Sequence, residues 1–200
     1  MIKELLIGST NPGKIAEWKD FLKETIGLIS VSDLGDLPEP NETGKTFLEN
    51  ARIKARHYAN LTKRYVMSDD GGFEVDFLNG APGVKSRRIL PGDKDGTDQE
   101  LIDFILDKLK GVPESERGAN LITVLAVSDP DGNIIYEDKG SFRGVVAQKP
   151  SQILISGYPF RSILYIPDLG KNYVELTPEE HEEHNHKKKM ARRFVSFLLK

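Results

Sequence analysis

The chain has 200 residues, a formal net charge of −3 and no cysteine. This length fits one domain with a substantial core, and the composition excludes disulfides, thiolate metal ligands and cysteine nucleophiles. The small net charge argues against polynucleotide binding. Because the sequence has no cysteine and no apolar run of about 20 residues, we expect a cytoplasmic protein without membrane attachment.

The apolar pattern of the first half predicts alternating strands and helices. A first strand ends over Leu5 to Gly8, and an amphipathic helix follows over Ile15 to Leu22. A long helix begins at about Thr46, and a strand then runs into the acidic turn of "SDDGGFEVD". The segment "DQELIDFILDKLKG" predicts a further helix.

The second half begins with a buried strand that turns back on itself. The segment "LITVLAVSDPDGNIIYE" predicts a hairpin at Asp131-Gly132, and "GSFRGVVA" continues that sheet. Near the C-terminus, Thr177 and Glu180 have the spacing of a capping box. One apolar stripe follows, formed by Met190, Phe194, Phe197 and Leu198. No repeat or linker divides the chain.

The loop "STNPGK", residues 9–14, has the glycine and lysine spacing of a phosphate-binding P-loop. Ile15, however, stands where a serine or threonine hydroxyl would hold magnesium. Free N–H groups at a helix N-terminus, the hydroxyls of Ser9 and Thr10, and the ammonium of Lys14 all suit a polyphosphate. An ordinary strand-to-helix turn is the alternative interpretation.

Two further loops carry carboxylates that suit a metal ion. Glu42 lies in "NETGKTFLENARIKA", upstream of Lys54, while Asp69 and Asp70 end an apolar strand. Magnesium takes one or two carboxylates together with phosphate oxygens, and a carboxylate near a cation can still accept a proton from water. The alternatives are a solvated loop acid at Glu42 and a simple Asp-Asp-Gly-Gly turn.

Four segments resemble, in order and spacing, the motifs of the HAM1/inosine triphosphate pyrophosphatase family. They are "STNPGK", "ETGKTFLENARIKA", "SDDGGFEVDFLNGAPGVKSRR" and "PDLGKNYVELTPEEHEEHNHK". The family pattern Ser/Thr-x-Asn-x-x-Lys fits Ser9, Asn11 and Lys14. The resemblance covers nearly the whole chain and explains the departure at Ile15, because the metal is then expected from other loops.

The resemblance implies an α/β fold with a mixed central sheet flanked by helices, in which residues 1–200 form a single two-lobed domain around a deep cleft. It also implies a homodimer that hydrolyses nucleoside triphosphates such as ITP, dITP or XTP to the monophosphate and pyrophosphate with Mg²⁺. Asp70 would then be the proton acceptor and, with Glu42, a metal ligand. Asn11 and Lys14 would hold phosphates, with Asp69 and Lys54 assisting.

The base-recognition half departs from the family pattern. Aligned back from Pro167, the family's Gly-Phe-Gly-Tyr-Asp-Pro segment falls on "YPFRSI", so the expected glycine, tyrosine and aspartate are replaced. The residues at the changed positions of this substrate-binding half are Phe160, Arg161, Ser162, His181, Lys187 and Gly71, while His186 is unchanged. Arg161 then offers a stacking or phosphate contact and Phe160 a stacking face, and a solvated Arg161 is the alternative.

The histidines of "HEEHNH" do not form the HExxH zinc motif, because the second histidine comes one residue early. A solvated helix start accounts better for His181 and His184, and an exposed helix face accounts for the basic run that begins at Lys187. Two functions stay open: an active pyrophosphatase, and a nucleotide-binding or regulatory protein with lost or altered activity. The complete set of hydrolytic residues favours the enzyme.

Overall fold

The computed structural model describes residues 2–199, which divide into two compact units. Unit 1 comprises the described residues up to Asp70, Thr123–Gly140, and the described residues from His186 onward. Unit 2 comprises Gly71–Ile122 and Ser141–Asn185. The prediction that the chain forms a single two-lobed domain stays a prediction.

Strands and helices alternate along the described residues. The strands are β1 (Glu4–Ile7), β2 (Gly27–Ser30), β3 (Val66–Val75), β4 (Pro82–Gly83), β5 (Gly118–Ser128), β6 (Ile134–Val146), β7 (Leu164–Ile166) and β8 (Lys171–Asn172). The α-helices are α1 (Pro12–Leu22), α2 (Phe47–Thr62), α3 (Asp98–Lys108), α4 (Pro178–His184) and α5 (His186–Leu198). In the part of the chain that the structure describes, every helix is too short or too polar to cross a membrane.

In unit 1 the strand order is β2-β1-β3-β5-β6. Strand β1 pairs in parallel with β2, where Leu5 faces Leu28, and with β3, where Leu6 faces Val66. The predicted hairpin at Asp131-Gly132 is confirmed, since β5 and β6 flank it and Gly132 has a φ of 88° that favours glycine.

The core of unit 1 joins β1 to helices α1 and α5. Its buried side chains include Leu5, Trp18, Met190 and Phe194. Phe197 and Leu198 pack against the same cluster and are half-buried. The predicted apolar stripe is therefore confirmed, and its burial draws α5 onto the sheet.

Two predicted helix starts are confirmed by their hydrogen bonds. Thr46 accepts from the backbone N–H of Glu49 at the start of α2, and Thr177 accepts from that of Glu180 at the start of α4. In both cases the glutamate side chain returns to the backbone of the capping residue, which completes a capping box.

One helix boundary differs from the prediction. Helix α1 begins at Pro12 rather than Ile15, because proline is favoured at the first helical position and Asn11 caps the helix. The C-terminal segment forms two helices, α4 and α5, which are separated at Asn185, where the backbone is extended with φ −64° and ψ 112°.

Unit 2 contains antiparallel pairs of strands. Strand β4 pairs with β3, and β7 pairs with both β6 and β8. Its core packs α3 against these strands and the turn before β7, with Phe73, Leu101, Phe160 and Leu164 among the buried side chains. The predicted α/β class, with a mixed sheet and flanking helices, is confirmed.

A buried arginine ties together three backbone segments of unit 2. Arg117 is 2% exposed, and its Nε, Nη1 and Nη2 donate to the carbonyl oxygens of Val146, Leu109 and Ala147, each at 2.7 Å. Burial lowers the pKa of this guanidinium. The three carbonyls have the same donor, so its loss would leave buried acceptors unsatisfied.

We expect Arg117→Met to reduce the free energy of unfolding by about 3 kcal/mol, because the substitution removes hydrogen bonds to three backbone carbonyls, two of them buried. The measurement is urea denaturation. Arg143→Met is the matched control, since the exposed Arg143 pairs with Asp76 and contributes less than about 1 kcal/mol. Equal losses in the two variants would contradict the assignment.

Candidate functional site

The candidate site of unit 1 lies where β1 and β3 approach each other. Gly8 donates its N–H to the carbonyl of Met67 at 2.8 Å, and Ser68 donates its hydroxyl to the carbonyl of Gly8 at 3.1 Å. A Cβ on Gly8 would lie 2.2 Å from Ser68 Oγ. Only glycine permits this approach, which places the loop after β1 beside Asp69 and Asp70 of β3.

Asn11 determines the shape of that loop. Its Oδ1 accepts from the N–H groups of Gly13 at 2.9 Å and Lys14 at 3.2 Å, while its own N–H donates to Ser9 Oγ at 3.2 Å. The sequence of this loop predicts N–H groups at the helix N-terminus that cradle phosphate. The structure differs, because two of these groups already donate to the cap; the half-buried Ser9 and the exposed Thr10 lie just before it.

Asp69 has a buried carboxylate that is contacted by three side chains from α1 and α5. It is 2% exposed; Trp18 Nε1 donates to its Oδ1 at 3.1 Å, and Lys14 Nζ lies 3.1 Å from its Oδ2. Lys187 Nζ is 3.8 Å from the same oxygen. Burial alone would raise the pKa of Asp69, but Lys14, Lys187 and Lys54 outweigh it and lower that pKa.

Lys187 is buried rather than exposed, in contrast to the expectation for its basic run. It is 3% exposed, and its Nζ lies 2.9 Å from Oε2 of Glu17. Glu17 and Trp18 are partners of the site that were not predicted from the sequence. For Trp18 a usable signal was its position four residues after Lys14, on the same face of α1.

His186 also lies in unit 1 and is 5% exposed. Its Nε2 is 3.0 Å from the hydroxyl oxygen of Thr123 on β5. The contact with Thr123 fixes the first turn of α5 against β5, and the ion pair of Lys187 with Glu17 fixes it against α1.

A second group of charges joins the loop before α2, the helix itself and β3. Lys54 Nζ lies 2.9 Å from Glu42 Oε2 and 3.0 Å from Asp70 Oδ1. The exposed fractions of the side chains are 36% for Glu42, 11% for Lys54 and 15% for Asp70. Burial lowers the pKa of Lys54, but Asp70 and Glu42 raise it by more. We call these residues the Glu42–Lys54–Asp70 group.

This donor set suits a hard cation. Two carboxylates converge on one positively charged atom, Lys54 Nζ, as the oxygen ligands of a metal ion would. Among residues 2–199 there is no cluster of three or more histidine, cysteine or acidic side chains with metal-binding geometry. Two carboxylates are the number that magnesium commonly takes from a protein when substrate phosphates supply further oxygens.

The predicted base-reading residues of unit 2 form a buried turn before β7. Phe160 is 5% exposed and stacks on Phe73 at a centroid distance of 4.9 Å, so the stacking face proposed for a base is already covered. Ser162 donates its hydroxyl to the carbonyl of Pro159 at 2.6 Å.

Arg161 is buried as well, with an exposed fraction of 7%. Its guanidinium carbon lies 3.8 Å from the centroid of the Tyr158 ring and 5.7 Å from that of Tyr173. The alternative of a solvated Arg161 is therefore wrong, and the side chain is held by cation–π contacts.

The two histidines of α4 contact aromatic rings instead of forming a freely solvated helix start. The ring of the half-buried His181 lies 5.6 Å from that of Tyr173, and the ring of His184 lies 6.4 Å from that of Phe142. Gly71, the remaining predicted substrate-binding residue, is half-buried in β3.

We expect Asp69→Asn to lower the free energy of unfolding by about 3 to 5 kcal/mol, because the amide removes the buried negative charge that faces Lys14 and the buried Lys187. Urea unfolding can be followed by the fluorescence of Trp18, the single tryptophan. As a control, Asp20→Asn breaks an exposed pair with Lys23 and should cost less than about 1 kcal/mol. An unchanged stability of Asp69→Asn would refute the structural role of this carboxylate.

Comparison with known proteins identifies one family and several relatives that are similar to this chain over nearly its full length. A model of the Ham1 family matches residues 5–197. A dITP/XTP pyrophosphatase of Yersinia pseudotuberculosis is 36% identical over 191 residues, which cover 93% of each chain. The dITP/XTP pyrophosphatase of Bacillus subtilis strain 168 is 34% identical over 199 residues, covering 99% of this chain and 98% of the relative.

Solved structures show the same likeness. A HAM1 protein from Coxiella burnetii superposes with a TM-score of 0.85 at 31% identity and covers 99% of both chains. The Ham1 protein of Staphylococcus aureus gives a TM-score of 0.82 at 32% identity, with 98% of both chains covered. Both the sequence and the fold are therefore shared over nearly the full length.

Proposed function

The chain belongs to the Ham1 family, and we propose that it hydrolyses nucleoside triphosphates to the monophosphate and pyrophosphate. We propose as preferred substrates the nonstandard purine nucleotides ITP, dITP and XTP, in line with the activity named for its relatives. The observation that carries the proposal is the convergence of Glu42 and Asp70 on one cationic atom, one residue along β3 from the Lys14–Asp69 ion pair.

We assign Mg²⁺ to Glu42 and Asp70, which present two hard oxygen donors to the same point. When bound, this ion supplies charge neutralisation for the phosphates. The ammonium of Lys54 suits an anionic substrate, and the half-exposed Glu42 leaves this group accessible from solvent. Phosphoryl-transfer chemistry depends mostly on such positioning and charge stabilisation.

Asp70 is our candidate for the proton acceptor. Its carboxylate is 15% exposed and bound to one ammonium, so an oxygen can take the proton of an attacking water while the residue stays anchored in β3. Lys14 and Lys54 are proposed to contact phosphate oxygens. Asn11 keeps the loop of residues 9–14 in shape, with Ser9 and Thr10 at its entrance.

For Asp69 we propose a positioning role, since its oxygens are committed to Trp18 and Lys14 and it is 2% exposed. Lys187 and His186 would act in the same way by fixing the start of α5. These three residues therefore support the reacting groups without touching the substrate.

We propose that the base is read by unit 2, through Arg161 and His181 with Gly71. A guanidinium offers only hydrogen-bond donors, so Arg161 favours a base edge that carries oxygen acceptors, as the hypoxanthine and xanthine rings do. Phe160 and Ser162 would hold Arg161 in place by their buried contacts. A homodimer stays part of the proposal.

The second candidate function is a nucleotide-binding or regulatory protein with lost or altered turnover. It is favoured by one observation, the buried arginine where the family resemblance leads us to expect a different residue. The two functions differ in whether bound nucleotide is cleaved.

Pyrophosphate release, measured with and without Mg²⁺, tests the proposal. The panel contains ITP, dITP, XTP and dXTP with the four common ribo- and deoxyribonucleoside triphosphates. We expect magnesium-dependent release that is fastest for the nonstandard purines. Release from common nucleotides alone would contradict the substrate assignment, and nucleotide binding without release would favour the second candidate.

We expect Asp70→Asn to lower the rate of pyrophosphate release by at least about 100-fold, because the amide cannot accept the proton and weakens metal binding. Circular dichroism checks that the variant is folded. Asp36→Asn, which changes an exposed acid on the loop between β2 and α2, should leave the rate unchanged. Normal activity of Asp70→Asn would overturn the assignment of this residue.

A further inference from the structure

The Glu42–Lys54–Asp70 group contains the lysine at the point where the two proposed metal ligands converge. Lys54 Nζ is within 3.0 Å of an oxygen of each carboxylate. A divalent cation held by the same two oxygens would have to lie in this region. The ammonium and the metal ion therefore compete for one pair of carboxylates.

We propose that Lys54 is an internal counter-ion that holds Glu42 and Asp70 together in the nucleotide-free protein and keeps free metal ions out of the site. Glu42 and Asp70 would then hold a divalent cation only in the presence of a triphosphate, because the phosphate oxygens can receive the ammonium of Lys54. This inference rests on the proposed function, because it takes Glu42 and Asp70 as the metal ligands.

The charges of the group support this dependence on a triphosphate. Two carboxylates and one ammonium leave a single net negative charge, which attracts a divalent cation less strongly than two carboxylates would. Lys54 is only 11% exposed, so solvent screens its interaction with Asp70 weakly. A free metal ion must displace this ammonium without offering it a new partner.

A bound triphosphate changes that balance. Its oxygens carry negative charge that can receive the ammonium, and they also complete the coordination of the metal ion. Glu42 lies on a loop and is 36% exposed, so its carboxylate can turn away from Lys54 at small cost. Asp70, by contrast, is held in β3. The exchange therefore moves the lysine and the glutamate, and the aspartate stays.

The test is a titration of the nucleotide-free protein with Mn²⁺, which accepts the same oxygen ligands as Mg²⁺ and whose free concentration is read by electron paramagnetic resonance. We expect Lys54→Met to bind Mn²⁺ about tenfold more tightly than the unchanged protein, because the competing charge is removed. Lys54→Arg, which keeps the charge, should bind as weakly as the unchanged protein.

Two controls locate the effect. Adding Glu42→Gln to Lys54→Met should cancel the gain in Mn²⁺ affinity. Lys23→Met removes another lysine that contacts a carboxylate, Asp20 at 2.9 Å, and should not alter Mn²⁺ binding. An affinity of Lys54→Met equal to or weaker than that of the unchanged protein would overturn the proposal.

A second measurement needs no variant. Crystals of the unchanged protein soaked in Mn²⁺ should keep Lys54 on both carboxylates, whereas Mn²⁺ with inorganic triphosphate should place the metal between Glu42 and Asp70 and move Lys54 onto phosphate. Metal between the carboxylates without triphosphate would contradict the inference. Neither measurement uses turnover, so their failure leaves the pyrophosphate assay as an independent test of the proposed function.

Discussion

The burial of one negative charge, the carboxylate of Asp69, is the constraint on which the site of unit 1 depends. A carboxylate that is 2% exposed is stable only with compensating charge and hydrogen bonds. Trp18 and Lys14 provide both from α1, and Lys187 adds a second positive charge from α5. The polar contacts of one side chain in β3 thus determine where two helices lie, while the apolar stripe of α5 supplies the burial that holds them there.

The burial of Asp69 also determines where the next residue, Asp70, points. Asp69 and Asp70 are consecutive in β3, so their side chains point to opposite faces of the strand. One carboxylate is therefore directed into the core of unit 1, and the other is directed toward the Glu42–Lys54–Asp70 group. A strand thus places the buried Asp69 directly beside Asp70, our candidate proton acceptor, without a loop between them, so Asp70 is held as firmly as the sheet itself.

The sequence was sufficient to predict features that depend on neighbouring residues. The helix start at Thr46, the capping box of Thr177, the hairpin at Gly132 and the stripe through Met190 all follow from local patterns. Contacts between residues that are far apart in the chain could not be predicted from these local patterns. Glu17 and Lys187 are 170 positions apart, and nothing in either local sequence indicates the ion pair that buries the lysine. The cap by Asn11 was also missed, because the motif suits both phosphate binding and helix capping.

The two lysine–carboxylate clusters of unit 1, one around Asp69 and one around Lys54, differ in their exposure to solvent. This difference distinguishes the cluster that supports the fold from the one that can exchange its partners. Asp69 and Lys187 are buried, and Lys187 is itself held by Glu17. Lys14, which we propose to contact phosphate, is 19% exposed. In the Glu42–Lys54–Asp70 group, Glu42 is the most exposed member and lies on a loop. An ion pair with a partly hydrated partner costs little to open, because water and phosphates can replace the lost contact. The buried carboxylate of Asp69 therefore fixes the framework, and the Glu42–Lys54–Asp70 group is the one that can exchange its cation.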